Sequence, residues 1–185
     1  SQHNPNVFYH GGNVLFKTQN LGQSWEAISQ DLTRNDKSKQ EWGGAPFTNE
    51  GAGGEVYGTI MYVAESKHEK GTLWVGSDDG LVHLTRDEGK TWQNVTPKGL
   101  EETMINSIEV SPHDKATVYI VSTRYKFNDF SPSIYKSNDY GKTWQKITTG
   151  IKEEDFVRVV REDPKRRGLL YAGAETGFYI SYNDG

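Results

Sequence analysis

Two turn-like stretches carry carboxylates that could perform acid–base chemistry. Asp78 and Asp79 are adjacent in the stretch 77–81, and Glu175 stands in a similar Glu-Thr-Gly stretch. A glycoside hydrolase uses two carboxyl groups, about 6.5–9.5 Å apart in inverting enzymes and about 5–5.5 Å apart in retaining ones. The sequence does not give that distance. Asp-Asp-Gly and Glu-Thr-Gly also form ordinary hairpin turns, which is the simpler interpretation.

Aromatic and basic residues are concentrated in two long connections, 31–55 and 123–132. Aromatic rings beside charges suit stacking on a sugar or binding of a peptide. For 123–132, aromatic residues that only anchor a long loop are an equally good interpretation. For 31–55, whose glycine-rich run makes a poor phosphate loop, a flexible lid or packing against a neighbour is favoured. With the turn carboxylates, the candidate ligand-binding residues are Arg34, Trp42, Asp79, Arg124, Tyr125, Phe127 and Glu175.

Composition excludes several kinds of site. The chain has no cysteine, so disulfides, thiolate metal sites and cysteine nucleophiles are excluded. The five histidines are scattered without metal-ligand spacing, and His3 and His113 share one repeat position, which indicates loop structure. A net charge of −4 argues against nucleic-acid binding. No apolar run approaches the ~20 residues of a membrane span. We therefore expect no metal, no cofactor and no membrane span.

An eight-residue pattern recurs along the chain and organises the elements that hold these side chains. It reads hydroxyl, x, Asp or Asn, x, Gly, x, Thr or Ser, Trp, and we call each copy a box. Complete boxes lie at 18–25, 85–92 and 137–144, and a partial one at 181–185. Their third residues, at 20, 87, 139 and 183, are 67, 52 and 44 residues apart. The third, fifth and eighth residues are Asn20, Gly22 and Trp25; Asp87, Gly89 and Trp92; Asp139, Gly141 and Trp144; and Asn183.

Short aromatic-rich strands surround each box and complete a four-stranded unit, A-B-C-D, with the box at the C–D turn. Strand D is expected at 25–29, 92–96 and 144–148. Such units, repeated about every 40–50 residues, are typical of β-propeller blades. The sequence predicts an all-β fold, a partial β-propeller of about three and a half four-stranded antiparallel blades. We expect one domain over 1–185, with blades near 1–30, 56–97, 105–149 and 156–185 and a loop insertion at 31–55.

The box side chains are expected to be structural. The Asp carboxylate can accept N–H groups of its own turn, and the Gly suits a positive φ. The Trp can cover the space between neighbouring sheets. A catalytic site need occur only once, whereas a structural staple must recur, so the repetition favours a structural role. If the boxes mark one face, the B–C and D–A loops with the candidate residues lie on the opposite face.

The boxes and their four-stranded units resemble the Asp-box, or BNR-repeat, β-propellers, a family with sialidases, xyloglucan-type glycosidases and sortilin-like proteins. The resemblance covers nearly the whole chain and rests on three complete boxes. Asn20 and Asn183 depart from the family's Asp, and Thr18 and Thr85 from its Ser; the sialidase Arg-Ile-Pro motif is absent. Such propellers have six or more blades. The resemblance therefore implies that this chain is a piece of a larger ring whose remaining blades are its partners.

The resemblance implies two alternative functions. The first is a binding or interaction scaffold that presents loops 31–55 and 123–132 to a glycan or peptide. The second is a glycoside hydrolase, sialidase-like or xyloglucanase-like. Its catalytic carboxylate would be Asp78, because xyloglucan-type glycosidases carry a catalytic Asp in a similar strand–turn setting, or would lie outside this sequence. Secreted bacterial members of the family imply an extracellular or periplasmic location.

Overall fold

The computed structural model describes residues 1–40 and 57–185. Within these ranges the regular structure consists of fourteen short strands and two single-turn 3-10 helices, Lys37–Lys39 and Tyr125–Phe127. The first seven strands are β1 (Phe8–Gly11), β2 (Leu15–Thr18), β3 (Glu26–Ala27), β4 (Ile60–Glu65), β5 (Leu73–Ser77), β6 (Val82–Thr85) and β7 (Gln93–Asn94). The others are β8 (Met104–Val110), β9 (Val118–Thr123), β10 (Ile134–Ser137), β11 (Gln145–Lys146), β12 (Val157–Glu162), β13 (Leu170–Ala174) and β14 (Phe178–Ser181).

The strands form four antiparallel sheets in which chain neighbours pair: β1-β2-β3, β4-β5-β6-β7, β8-β9-β10-β11 and β12-β13-β14. We call them blades 1 to 4. Their strands correspond to B-C-D, A-B-C-D, A-B-C-D and A-B-C. The predicted all-β, partial β-propeller fold is confirmed. Of the predicted insertion at 31–55, residues 31–40 are described and the remainder lies outside the described residues.

Strand D is shorter than predicted. β3, β7 and β11 have two residues each instead of five. In blade 1 the Leu15 N–H donates to the Ser29 hydroxyl, and in blade 2 the Val82 N–H donates to the Thr96 hydroxyl. A side chain that replaces the main-chain carbonyl of a neighbouring strand ends the ladder.

The A strands of blades 2, 3 and 4 lie side by side, since β8 contacts both β4 and β12. Each pairs with its B strand through a register shift near its start, and such bulges bend a strand. Arg161 on β12 joins all three strands: its guanidinium donates to the Ser107 hydroxyl on β8 and to the Tyr62 hydroxyl on β4, both at 2.8 Å.

The apolar cores lie between adjacent blades. Each is built from the facing sides of two sheets, as stacking of blades requires. Between blades 1 and 2 it contains Leu15, Leu32, Ile60, Leu73 and Val75. Between blades 2 and 3 it contains Trp74, Val82, Leu84, Val95, Ile105, Ile108, Val110, Val118 and Ile120. Between blades 3 and 4 it contains Tyr119, Val121, Ile134, Ile147, Val157, Val160, Leu170 and Ala172.

Histidines form a second repeated contact between blades. In each case a ring Nε2 lies within hydrogen-bond distance of a main-chain carbonyl in the next blade. The pairs are His3 and Ser66 at 2.8 Å, His68 and Ser111 at 3.0 Å, and His113 and Asp163 at 2.7 Å. The sequence pattern related only His3 to His113. His68 belongs with them because all three follow Ser-x.

Candidate functional site

The box turns are closed by their own side chains. In the second box, the Asp87 carboxylate accepts the Thr91 N–H at 2.9 Å and the Thr91 hydroxyl at 2.7 Å. The Thr85 hydroxyl donates to Asp87 at 2.8 Å and accepts the Gly89 N–H at 3.0 Å. These hydrogen bonds, led by the one from the Thr91 hydroxyl, lower the pKa of Asp87 to about 2. The carboxylate is therefore ionised and engaged by its own turn.

The third box repeats this geometry, and the first keeps it with an amide. Asp139 accepts the Thr143 N–H at 2.9 Å and the Thr143 hydroxyl at 2.6 Å. In the first box, the Asn20 amide oxygen accepts the Ser24 N–H at 3.0 Å, and its amide nitrogen donates to the Ser24 hydroxyl at 2.9 Å. Asn183 accepts the hydroxyl two residues before it at 3.0 Å. The Asn departures thus preserve bonds of the turn.

The box tryptophans reach back to the preceding blade. The Trp92 indole N–H donates to the Ile28 carbonyl at 2.8 Å, and the Trp144 indole N–H donates to the Val95 carbonyl at 2.8 Å. Ile28 and Val95 follow strand D of the preceding blade. Trp25, in blade 1, is 46% exposed and meets His10 edge to face. Two of the three indoles therefore join neighbouring blades.

The box glycines permit this close approach. Gly89 and Gly141 have φ values of 92° and 77°, which penalise side chains. A Cβ on Gly89 would lie 2.5 Å from the Ile28 carbonyl oxygen, and one on Gly141 would lie 2.8 Å from the Val95 Cβ. The fifth position of the box is thus restricted by both backbone conformation and the preceding blade. Gly22 has a φ of 89°.

On the opposite face, Asp78 holds the start of its own blade. Its carboxylate accepts the Gly58 N–H at 3.0 Å and the Thr59 N–H at 2.8 Å. Burial raises the pKa of Asp78 to about 6; the Thr59 N–H opposes this shift and the neighbouring Asp79 charge adds to it. A carboxyl group with such a pKa can both hold and release a proton near neutral pH.

Asp79 and Arg34, both candidates from the sequence, lie in contact. The Arg34 N–H donates to the Asp79 carboxylate at 2.7 Å, and the Arg34 Nε donates to the Asp79 carbonyl at 2.8 Å. The Ser77 hydroxyl donates to the second carboxylate oxygen at 2.5 Å. Asp79 is only 1% exposed. This pair joins the connection after blade 1 to the B–C turn of blade 2, so a ligand would have to displace Arg34 to reach the Asp79 carboxylate.

Glu102, which the sequence did not single out, is a centre of polar contacts on this face. Lys39 and the Tyr57 hydroxyl both donate to its carboxylate. Burial opposes ionisation of Glu102, but the hydrogen bonds from Lys39 and Tyr57 outweigh it and lower the pKa. Burial and the Glu102 hydrogen bond raise the pKa of Tyr57. In the sequence, Glu102 could have been found from the acidic pair Glu101-Glu102, which lies in a loop on the same face as the basic candidate residues.

Arg124 connects the same loop to the B–C loop of blade 3. Its guanidinium pairs with Glu101 at 2.7 Å and Asp129 at 3.2 Å, and it donates to the Glu102 carbonyl. The guanidinium carbon lies 5.0 Å from the centre of the Phe127 ring. Arg124 and Phe127 therefore help to order the loop in which they lie.

Tyr125 belongs to an aromatic stack between blades 3 and 4. Its ring stacks on buried Phe156 with centroids 5.2 Å apart, and Phe130 lies 6.0 Å from Phe156. The Arg158 guanidinium carbon lies 5.0 Å from the Tyr125 ring centre and 4.8 Å from that of Phe156. Glu175 pairs with Arg158 at 2.8 Å. Phe130 is 41% exposed at the edge of this stack.

The candidate residues thus fall into two groups. One group lies where the connection after blade 1 meets the B–C turn of blade 2, and contains Arg34, Asp78 and Asp79. The other lies between blades 3 and 4, and contains Arg124, Tyr125, Phe127 and Glu175. Trp42 lies outside the described residues. Within residues 1–40 and 57–185, no group of three or more His, Asp or Glu side chains could hold a metal ion. The same ranges contain no helix long and apolar enough to cross a membrane.

Comparison with protein families identifies the family to which this repeat architecture belongs. Residues 80–185, more than half of the chain, match the family model Sortilin-Vps10, described as "Sortilin, neurotensin receptor 3". The chain belongs to the Sortilin-Vps10 family. The matched range includes the second and third boxes and the partial fourth one.

A curated relative is the oligoxyloglucan-reducing end-specific xyloglucanase of Emericella nidulans, 26% identical over 105 residues. The match covers 56% of this chain and 13% of the relative. The chain therefore corresponds to a small part of that protein's length.

Solved structures show the same fold. An ancestral GH74 enzyme is similar over the whole chain and 22% of its own length, with a TM-score of 0.70 and 18% identity. The structure of YCF48 bound to D1 peptide is similar over 68% of this chain and 37% of its own length, with a TM-score of 0.53 and 19% identity. At these identities the likeness concerns the fold alone.

Proposed function

We propose that this Asp-box propeller segment is a binding scaffold for a glycan or peptide, presented on the face opposite the boxes. The aromatic stack of Tyr125, Phe130 and Phe156 supports this proposal most strongly. Phe130 offers an exposed ring, while Arg158 and the buried Phe156 fix the stack beneath it. A rigid aromatic surface loses little conformational entropy when a sugar ring or apolar side chain stacks on it.

The loops on this face are fixed before any ligand arrives. Arg34 ties blade 1 to Asp79 of blade 2, and Arg124 ties the loop of blade 3 to Glu101. Preorganised loops on a rigid scaffold are typical of binding surfaces. The D1 peptide bound to YCF48 and the xyloglucanase activity named for the relative support the two ligand classes.

Binding is tested with glycan and peptide arrays, followed by titration of a retained ligand. Phe130→Ala should weaken binding by about tenfold or more, as loss of a central aromatic contact does. Tyr182→Ala is the matched control, because Tyr182 is an exposed aromatic residue in the partial fourth box. Retention of neither ligand class, or full affinity in folded Phe130→Ala, would contradict the proposal.

A second candidate is a glycoside hydrolase with Asp78 as general acid. The pKa of about 6 for Asp78 favours this role, because the group could donate a proton to the leaving oxygen at neutral pH. Sialoside and xyloglucan oligosaccharides are the substrates to assay, with Asp78→Asn as the variant. Turnover that this change abolishes, in a protein with unchanged melting temperature, would place the enzyme ahead of the scaffold. Binding without turnover favours the scaffold.

We also propose that residues 1–185 form part of one propeller domain in which further blades cover the outer sides of blades 1 and 4. Apolar side chains lie exposed there: Phe8 and Trp25 on blade 1, and Phe178 and Ile180 on blade 4.

The resemblance to secreted bacterial propellers supports an extracellular or periplasmic location. Cell fractionation tests this directly, since recovery of the protein in the cytoplasm would contradict it.

A further inference from the structure

The fourth residue of every box has a left-handed backbone although it is never glycine. The φ values are 60° for Leu21, 63° for Glu88, 60° for Tyr140 and 77° for Asp184. A non-glycine residue in this region is held there by its surroundings. Glycine would avoid the strain, so the side chains at this position require another explanation.

Three of these residues are anchored to the A–B turn of their own blade. The N–H groups of Glu88 and Tyr140 donate to the Gly71 and Ala116 carbonyls, both at 3.0 Å. Asp184 makes the equivalent bond at 2.9 Å. The backbone at this position is therefore fixed, and the side chain leaves it at a defined point next to the preceding blade.

In two interfaces the fourth residue is acidic and meets a lysine. The Glu88 carboxylate lies 3.4 Å from the Lys17 Nζ. Asp184 pairs with Lys136 and accepts the Tyr119 hydroxyl at 2.7 Å. Lys17 and Lys136 are the residues immediately before the boxes of the preceding blades. The same two repeat positions thus meet in both interfaces.

The interface between blades 2 and 3 uses different chemistry at these positions. The residue before the second box is buried Leu84, and Tyr140 packs against the core that contains it. The Tyr140 hydroxyl donates to Glu69 at 2.9 Å, and the Arg86 guanidinium carbon lies 3.9 Å from the centre of its ring. An aromatic residue therefore stands at a mainly apolar position, where the other interfaces have an acid opposite a lysine.

We propose that the fourth residue of each box and the residue before the preceding box form a blade-order pair, by which a blade recognises its predecessor in the chain. Exchange of blades 2 and 3 would place Tyr140 beside Lys17, and Asp184 beside Leu84 and the like-charged Glu69. Only Glu88 would meet a matching partner, Lys136. Near-identical repeats can assemble in the wrong order, and mismatched pairs disfavour that outcome.

Charge reversal across blades 1 and 2 tests the pair. Lys17→Glu and Glu88→Lys should each lower Tm by about 2–4 °C in a chain of this size, and the double variant should recover most of the loss. Lys70→Ala is present in all four proteins: the reference, the two single variants and the double variant. Lys70 lies 4.0 Å from Glu88 and would repel a lysine introduced there. Losses that simply add in the double variant would overturn the proposal.

Exchange of the two side chains separates recognition from ordinary contact energy. In Glu88→Tyr with Tyr140→Glu, the composition is unchanged, and we expect a several-fold lower native yield after dilution from urea. Leu21→Ala is the control, because Leu21 has the same left-handed backbone and is 63% exposed, and its refolding yield should not change. An unchanged refolding yield in the exchange variant, whether or not its Tm falls, would overturn the proposal.

Discussion

At the residue scale, the third position of each box is defined by the bonds that it accepts. Asp139 accepts the N–H and the hydroxyl of Thr143, and these bonds, the hydroxyl's first, lower its pKa. Asn20 occupies the same position in the first box and accepts the corresponding N–H. The turn thus requires an oxygen acceptor at this site, whereas a negative charge is dispensable.

Asp139→Ala should therefore lower the free energy of unfolding by about 1 kcal/mol, or Tm by about 2–4 °C, because it removes the acceptor of both bonds. Asp139→Asn is the matched control and should change Tm by less than half of that. Thermal unfolding followed by circular dichroism measures both. Equal losses for Ala and Asn would show that charge, and not the acceptor, stabilises the turn.

His83 makes the stability of the folded protein depend on pH. It is buried on β6, its Nδ1 has no hydrogen-bond partner among the described residues, and burial lowers its pKa. Above the ordinary histidine pKa of 6.5 the ring is neutral in both states, so its effect on stability is constant. As pH falls through 6.5, the unfolded chain binds a proton that the folded chain resists, and stability decreases.

His83→Leu should reduce the loss of Tm between pH 7.5 and pH 5.5, because the variant removes this proton-linked difference. Thermal scans at the two pH values measure it, with His10→Gln as the control at an exposed histidine. A loss of Tm in His83→Leu as large as in the unchanged protein would contradict the assignment.

At the scale of elements, blade stacking depends on bonds from the second and third boxes to the residue that follows strand D of the preceding blade. The Trp92 indole N–H bonds to the Ile28 carbonyl, while Trp25, in blade 1, is largely exposed. The same side chain in the same motif therefore contributes differently in the two blades.

Trp92→Phe should destabilise the protein by about 1–3 kcal/mol, because it leaves a carbonyl unpaired and reduces the buried aromatic area. Trp25→Phe should cost less than about 0.5 kcal/mol, as exposed substitutions usually do. Urea unfolding of the two variants measures the difference. Equal destabilisation would contradict the role of the Ile28 bond.

Strand order and blade number could be predicted because the boxes recur and each marks one turn of a four-stranded unit. The length of strand D could not, since the ladder ends where the hydroxyls of Ser29 and Thr96 replace carbonyls. The contact of Arg34 with Asp79, 45 residues apart, depends on the path of a loop that has no repeat. The candidate loops were visible in the sequence, but the contacts that Glu102 and Arg158 make emerged only from packing.

At the scale of the whole molecule, the blades place two kinds of turn on opposite faces. The boxes and the A–B turns bind one another on one face, as Glu88 does with Gly71. The B–C and D–A loops form the other face, where Arg34, Glu102 and Arg124 join successive blades. Stability and proposed ligand binding are therefore assigned to separate faces.

The affinity of one retained glycan or peptide for Phe130→Ala and Asp139→Ala, measured well below both melting temperatures, tests this separation most directly. We predict that Phe130→Ala binds about tenfold more weakly at an unchanged Tm, while Asp139→Ala keeps its affinity at a lower Tm. Loss of affinity in Asp139→Ala at an unchanged Tm, with full affinity in Phe130→Ala, would contradict it.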